Sequence, residues 1–105
     1  MNEQFIIKEF KKAVSKLYGN RLDKIILYGS RARRDHRDDS DFDFLVVLKD
    51  DEINRFEEVK RLNHVVFPIT LEHDTDISFK PVTNSLLIQA DKPFYREVQR
   101  EGKVV

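Results

Sequence analysis

Asp41 and Asp43 stand two residues apart at the head of the apolar run Phe44-Leu45-Val46-Val47. On a β-strand that spacing projects both carboxylates from one face, and such a pair can hold hard divalent cations. Upstream, Ile25-Ile26-Leu27-Tyr28 reads as a buried strand that stops at Gly29-Ser30, and the residues after it read as a helix start. A helix start presents backbone N–H groups to anions. The two halves together describe one site for a metal-chelated polyphosphate. Taken alone, an acidic loop of ordinary turn residues accounts for the two acids equally well. Their place at the mouth of a buried strand, where open α/β sheets bind ligands, favours the site.

Ser30 has three readings: phosphate contact, helix cap or covalent nucleophile. The last is the weakest, because no second glycine completes a Gly-x-Ser-x-Gly elbow and no histidine and acid are ordered for a hydrolase triad. Ser30 and the backbone of Gly29 are therefore assigned to the β and γ phosphates. Arg31 and Arg33 fall in the first turn and can add charge-assisted bonds to the same oxygens, the alternative being a solvated face paired with Asp35 and Asp38. A Gly-x-x-x-x-Gly-Lys-Ser/Thr phosphate loop is absent. His36, His64 and His73 do not share metal-ligand spacing. His73 with Asp74 and Asp76 could hold a transition metal, although loop histidines are more often unliganded.

The run Gly29 to Val47 resembles the nucleotidyltransferase superfamily of the DNA polymerase β type, whose signature is a Gly-Ser turn followed on the next strand by Asp-x-Asp. In size it is similar to the minimal nucleotidyltransferases of bacteria and archaea, often the antitoxin partner of a HEPN-domain protein. The tail Pro93 to Gly102 looks like that group's closing helix, while Arg34 stands where the family often has glycine.

The resemblance implies an α/β core with a small mixed sheet flanked by helices. It also implies transfer of a nucleoside monophosphate, most plausibly AMP, from a triphosphate to a hydroxyl. In the HEPN-paired group that hydroxyl is a tyrosine of the partner. Two Mg²⁺ ions, replaceable by Mn²⁺, would be held by Asp41, Asp43 and a third carboxylate on a later strand, for which Asp76 is the candidate and Asp74 the runner-up. The rival readings are an antitoxin that acts by contact alone and an enzyme modifying a small molecule of the aminoglycoside type.

These side chains need elements to position them. Ile6, Phe10, Ala13, Val14 and Leu17 recur at helical spacing and predict an amphipathic helix ending near Gly19-Asn20. Strands are predicted over Lys24 to Tyr28, Asp43 to Leu48 and Asp76 to Val82, with Ile77 and Phe79 on one face of the third and Asp76, Ser78 and Lys80 on the other. Ser30 is expected to cap a short helix. Asp50-Asp51-Glu52 is expected to open a longer one, with an apolar stripe through Ile53, Phe56, Val59, Leu62, Val65, Val66 and Ile69 and a kink at Pro68, ending near Glu72; Val65 to Leu71 also reads as a strand. Leu86, Leu87 and Ile88 must be partly buried. Asp91 and Pro93 open the last helix and Gly102 closes it.

A chain of 105 residues suffices for one small domain over 1–105. Lys plus Arg equal Asp plus Glu at 19 each, and Asp35, Asp38 and Asp39 dilute the cluster Arg31, Arg33, Arg34 and Arg37, so direct nucleic-acid binding is not expected. The absence of cysteine excludes disulfides and thiolate metal sites. No signal-peptide core is visible and no apolar run approaches the ~20 residues of a membrane span, so the expected location is the cytoplasm.

Overall fold

The computed structural model describes residues 3–89 and 91–105. Along the chain run α1 (Glu3–Tyr18), a 3₁₀ turn (Gly19–Arg21), β1 (Leu22–Tyr28), α2 (Ser30–Arg33), β2 (Phe42–Leu48) and α3 (Arg55–His73). They are followed by β3 (Ile77–Thr83), α4 (Asn84–Gln89), α5 (Pro93–Glu101) and β4 (Lys103–Val104). The strands form one mixed sheet in the order β3-β2-β1-β4, with β2 antiparallel to β1 and parallel to β3. Among the described residues no helix is long and apolar enough to cross a membrane.

β2 is central, and its residues Phe44 through Leu48 are all fully buried because both faces of the sheet are covered. On one face Phe42, Phe44, Val46 and Leu48 meet Ile6, Phe10 and Val14 of α1 and Leu62 and Val66 of α3. The Phe10 and Phe44 rings stack there with centroids 3.9 Å apart. On the other face Leu45 and Val47 join Ile26, Val82, Leu87, Tyr95 and Val98 under α4 and α5. The first residues of β2 lie beyond that second cover, and this leaves room for a site at Asp43.

The predicted α/β core is observed, and several boundaries move. α3 begins at Arg55 rather than in the acidic run at 50–52, because Asn54 caps it: its side-chain oxygen accepts from the Glu57 N–H at 3.2 Å. The helix passes through Pro68 to His73, which settles the 65–71 segment as helix. Pro68 and His64 both lie on its exposed side, so the carbonyl that Pro68 deprives of a partner can face water. Leu62, Val66 and Ile69 of the expected stripe are buried and Glu58 joins them, whereas Phe56 and Val59 at its start face water. Phe56 is 71% exposed. Leu86 and Ile88 are exposed too, and only Leu87 of α4 reaches the core. Gly29, not Ser30, occupies the cap position of α2, and no side-chain cap bond forms there.

The sequence did not announce β4, which pairs with Ile26 and Leu27 just after Gly102. A Cβ on Gly102 would collide with the Val98 carbonyl and Ile26, so glycine is required for α5 to pass this close to β1.

Glu58 is the other feature missed. It is buried in α3 and accepts from the Tyr18 hydroxyl at 2.9 Å, Arg21 at 2.8 Å and Arg61 at 3.0 Å, tying α1 and the 3₁₀ turn to α3. Burial pushes its proton affinity up, but the bonds from Arg21 and Tyr18 outweigh this and hold the carboxyl below its usual range. Its stabilising contribution is therefore complete above the ordinary carboxylate range and lost as pH falls through the lowered value. Glu58→Ala is expected to cost about 2–3 kcal/mol at neutral pH, part of the ion-pair loss being screened at half-exposed Arg21, and to cost much less in acid. Chemical denaturation of both proteins at neutral and acid pH checks this.

Candidate active site

β1 ends at Tyr28, which pairs across the sheet with Asp43. The chain then turns through Gly29 at φ +75°, ψ −158°, a backbone state that side chains rarely tolerate. A Cβ at Gly29 would also run into the Asp43 carboxylate. The backbone angle alone favours glycine here, and any side chain would in addition have to displace the Asp43 carboxylate. α2 starts immediately, with the Ala32 and Arg33 N–H groups both donating to the Gly29 carbonyl at 3.1 Å. The Ser30 and Arg31 amides precede any partner within the helix. The turn with these free amides and the Asp43 carboxylate thus lie side by side.

Asp43 is half-buried at the first turn of β2, and Asp41 is exposed just before it. Burial raises the proton affinity of Asp43, the neighbouring charge of Asp41 raises it further, and Arg33 opposes both. Tyr28 is raised as well, by burial and then by the negative charge of Asp43. Two hard oxygen donors that repel each other beside a partly desolvated wall suit a divalent cation, whose charge would remove the repulsion. By this test the chemistry of Asp41 and Asp43 fits a divalent metal, which these two carboxylates would hold.

The remaining candidates divide. Arg33 lies close enough to act on Asp43, and its guanidinium is paired at 3.1 Å with both Asp35 and Glu101 at the surface. Arg31 departs from the expectation of a phosphate contact. It is 4% exposed, donates to the Ser40 carbonyl at 2.9 Å and the Asp38 carbonyl at 3.1 Å, and lies 4.0 Å over the Phe42 ring. Its charge is consumed in holding the loop that delivers Asp41, so its role is to position. Arg34 ends α2 at φ +67°, which explains in physical terms why glycine would suit this place.

Asp76 lies at the mouth of β3, exposed, and its carbonyl accepts from the Phe42 N–H at 3.0 Å, which places it level with the start of β2. Asp74 instead closes α3 in a left-handed conformation. Asp41, Asp43 and Asp76 do not converge as a set of three ligands. Among the described residues the one group that does, within 4.8 Å, is Glu9, Glu72 and His73. His73 meets Glu9 at 3.1 Å, so it does not form the metal set with Asp74 and Asp76 that its sequence context allowed. Two neighbours of the acids went unnoticed in the sequence: Tyr28, and Ser78, which stands opposite Asp43 on β3. Strand register alone identifies them.

Residues 7–101 match the family described as "Nucleotidyltransferase domain". A Methanocaldococcus jannaschii protein provisionally named a protein adenylyltransferase is 35% identical over 97 residues, 92% of each chain. Among solved structures, a spectinomycin adenyltransferase of Enterococcus faecialis with ATP and spectinomycin superposes with a TM-score of 0.70 at 18% identity, over 98% of this chain and 48% of that one. A toxin-antitoxin structure with AMP-PNP gives 0.59 at 24% identity, over 99% and 72%. At these identities the two superpositions establish the fold.

The raised proton affinity of Asp43 carries a sign. A carboxyl whose folded value lies above its unfolded one disfavours folding once it ionises, so removing the charge should stabilise the metal-free protein at neutral pH and have little effect in acid. Asp43→Asn is expected to melt about 2–4 °C higher than wild type at pH 7 without divalent ions. Mg²⁺ or Mn²⁺ should raise the wild-type melting temperature and leave the variant unmoved. Differential scanning calorimetry with and without the metals reads both effects.

Proposed function

The chain belongs to the nucleotidyltransferase-domain family, and from that premise we propose that it transfers AMP from ATP, with divalent metal, to a hydroxyl on a protein partner. The observation that carries this reading is the closeness of the Gly29 turn, with its free backbone amides, to the Asp43 carboxylate, which supports one site for a phosphate and a metal. The name of the Methanocaldococcus relative supports a protein acceptor, and the toxin-antitoxin neighbour supports a toxin partner. We take that partner to be a HEPN-domain protein and the acceptor to be one of its tyrosines.

In this reaction the acceptor oxygen attacks the α-phosphorus, a new O–P bond forms, the bond to the β-phosphate oxygen breaks, and pyrophosphate leaves. Charge builds on the non-bridging oxygens and on the leaving group. Divalent metal held by Asp41 and Asp43, with Asp76 drawn in only once nucleotide and metal are bound, would supply charge neutralisation for the triphosphate and the departing pyrophosphate. The chain's own groups do the rest. The backbone at Gly29 and the Ser30 amide and hydroxyl hold the β and γ phosphates, and Arg33 exchanges its surface carboxylates for the same oxygens. Tyr28 walls off one side of Asp43 from water. Asp76, at the mouth of β3, accepts the proton of the attacking hydroxyl.

Asp41→Asn and Asp43→Asn are each expected to lower AMP transfer on the order of a hundredfold or more while the proteins still fold. Asp76→Asn should slow the chemical step with nearly unchanged MgATP affinity. Intact mass of a co-purified HEPN partner after incubation with ATP measures transfer, and calorimetry measures binding. Full transfer by Asp43→Asn would contradict the site. Neutralisation of the toxin without any mass change would identify a binding module instead.

A further inference from the structure

In-line displacement puts the attacking and leaving oxygens on opposite sides of the α-phosphorus. In this sheet β2 lies between β1 and β3, so the Gly29 turn at the end of β1 and Ser78 on β3 flank Asp43 from opposite sides. If the triphosphate is anchored at the turn, pyrophosphate departs toward β1 and the acceptor must approach from β3. A cleft of about 480 Å³ begins at Lys80 on that side and runs along β3 toward the segment that follows β2, with the start of α5 as its other wall; Asp43 and Ser78 lie outside its lining, beyond its near end.

Three cations face it: Lys80, Arg55 and Lys92. Lys80 shares a face with Ser78 and lies two residues along the strand, so it is roughly 7 Å farther from the acids. Its ammonium lies 4.5 Å from the centre of the Phe94 ring and 5.7 Å from that of Tyr95. Phe94 in turn meets Tyr28 edge to face at 5.4 Å, and Tyr28 pairs with Asp43, so one row of side chains joins the cleft to the acids. Burial, then Arg55 and Lys92, hold the Lys80 proton affinity down, which means that its charge is incompletely compensated. Asp51 and Glu52 on the wall offset part of the positive charge, and neither forms an ion pair with Lys80 among the described residues. A polyanionic nucleic-acid strand would need a longer basic track than these three groups, and the chain's net charge is zero.

Resting on the nucleotidyl-transfer reading above, we propose that this cleft is the acceptor site and that it selects a hydroxyl-bearing peptide segment with carboxylate side chains next to the hydroxyl. The hydroxyl reaches Asp43 past Ser78, and the flanking carboxylates meet Lys80 first and Arg55 and Lys92 beyond it. Charge at the cleft then decides which hydroxyl is modified, while the Gly29 turn decides only what is transferred.

The test uses fluorescein-labelled peptides with a central tyrosine flanked on both sides by glutamate, glutamine or lysine. Their binding to the full chain is read by anisotropy without nucleotide, and AMP transfer from α-labelled ATP is read in parallel. Wild type is expected to bind the glutamate peptide about tenfold tighter than the glutamine one at low salt, and to label it correspondingly faster. Arg55 and Lys92 are exposed, so the Arg55→Glu, Lys92→Glu double variant should fold, keep its MgATP affinity and shift its preference to the lysine peptide. Equal binding of the three peptides, or a preference unchanged in the variant, would overturn the proposal. So would tighter binding of a single-stranded RNA oligonucleotide that the same double variant abolishes. Discrimination among peptides with no transfer of AMP would uphold the cleft and overturn the activity instead.

Discussion

The close approach of Gly29 to the Asp43 carboxylate is the constraint around which the rest of the molecule is arranged. It follows from the antiparallel register of β1 and β2, which places Tyr28 opposite Asp43 and so brings the turn after one strand against the first acid of the next. Slipping that register by one residue would turn every side chain of β2 to the other face, moving Asp43 into the Phe10 layer and Phe44 out of it to the opposite face. The two apolar layers therefore do more than stabilise the sheet. They fix which face the acid occupies, and the stacked Phe10 and Phe44 rings are the strongest marker of that choice.

Around this contact the charges are placed against local stability. Asp43 is partly buried beside another carboxylate, which is unfavourable until a cation arrives. Glu58 shows the opposite arrangement, a buried carboxylate satisfied by three donors and held ionised. The first is poised for a ligand and the second is finished. Arg31 belongs with the second kind. Its bonds to Ser40 and Asp38 tie down the loop before Asp41, and the stack on Phe42 anchors that loop to the core.

Much of this was legible in the sequence because it is local. The Asp41, Asp43 spacing, the glycine at the strand end and the unbroken apolar run of β2 each state their geometry within a few residues. What the sequence hid depends on distant partners. Arg31 reads as a phosphate ligand until the fold brings the Ser40 carbonyl to it, nine residues on. Helical periodicity found Leu62, Val66 and Ile69 of α3 but not Glu58, which looks polar until Tyr18 and Arg21 reach it across the fold. A two-residue strand such as β4 carries no pattern to read. Its position becomes evident only from the glycine that lets α5 cross β1.

If the Gly29 turn and Asp43 form one site for a metal-bound triphosphate, a single methyl group at Gly29 must damage nucleotide binding without unmaking the fold. Calorimetric titration of MgATP into Gly29→Ala, alongside its thermal unfolding, measures this directly. The account predicts an affinity lowered about tenfold or more, with a cooperative transition retained, since backbone strain of this kind costs on the order of 1–3 kcal/mol. Wild-type affinity in a folded Gly29→Ala protein would contradict it.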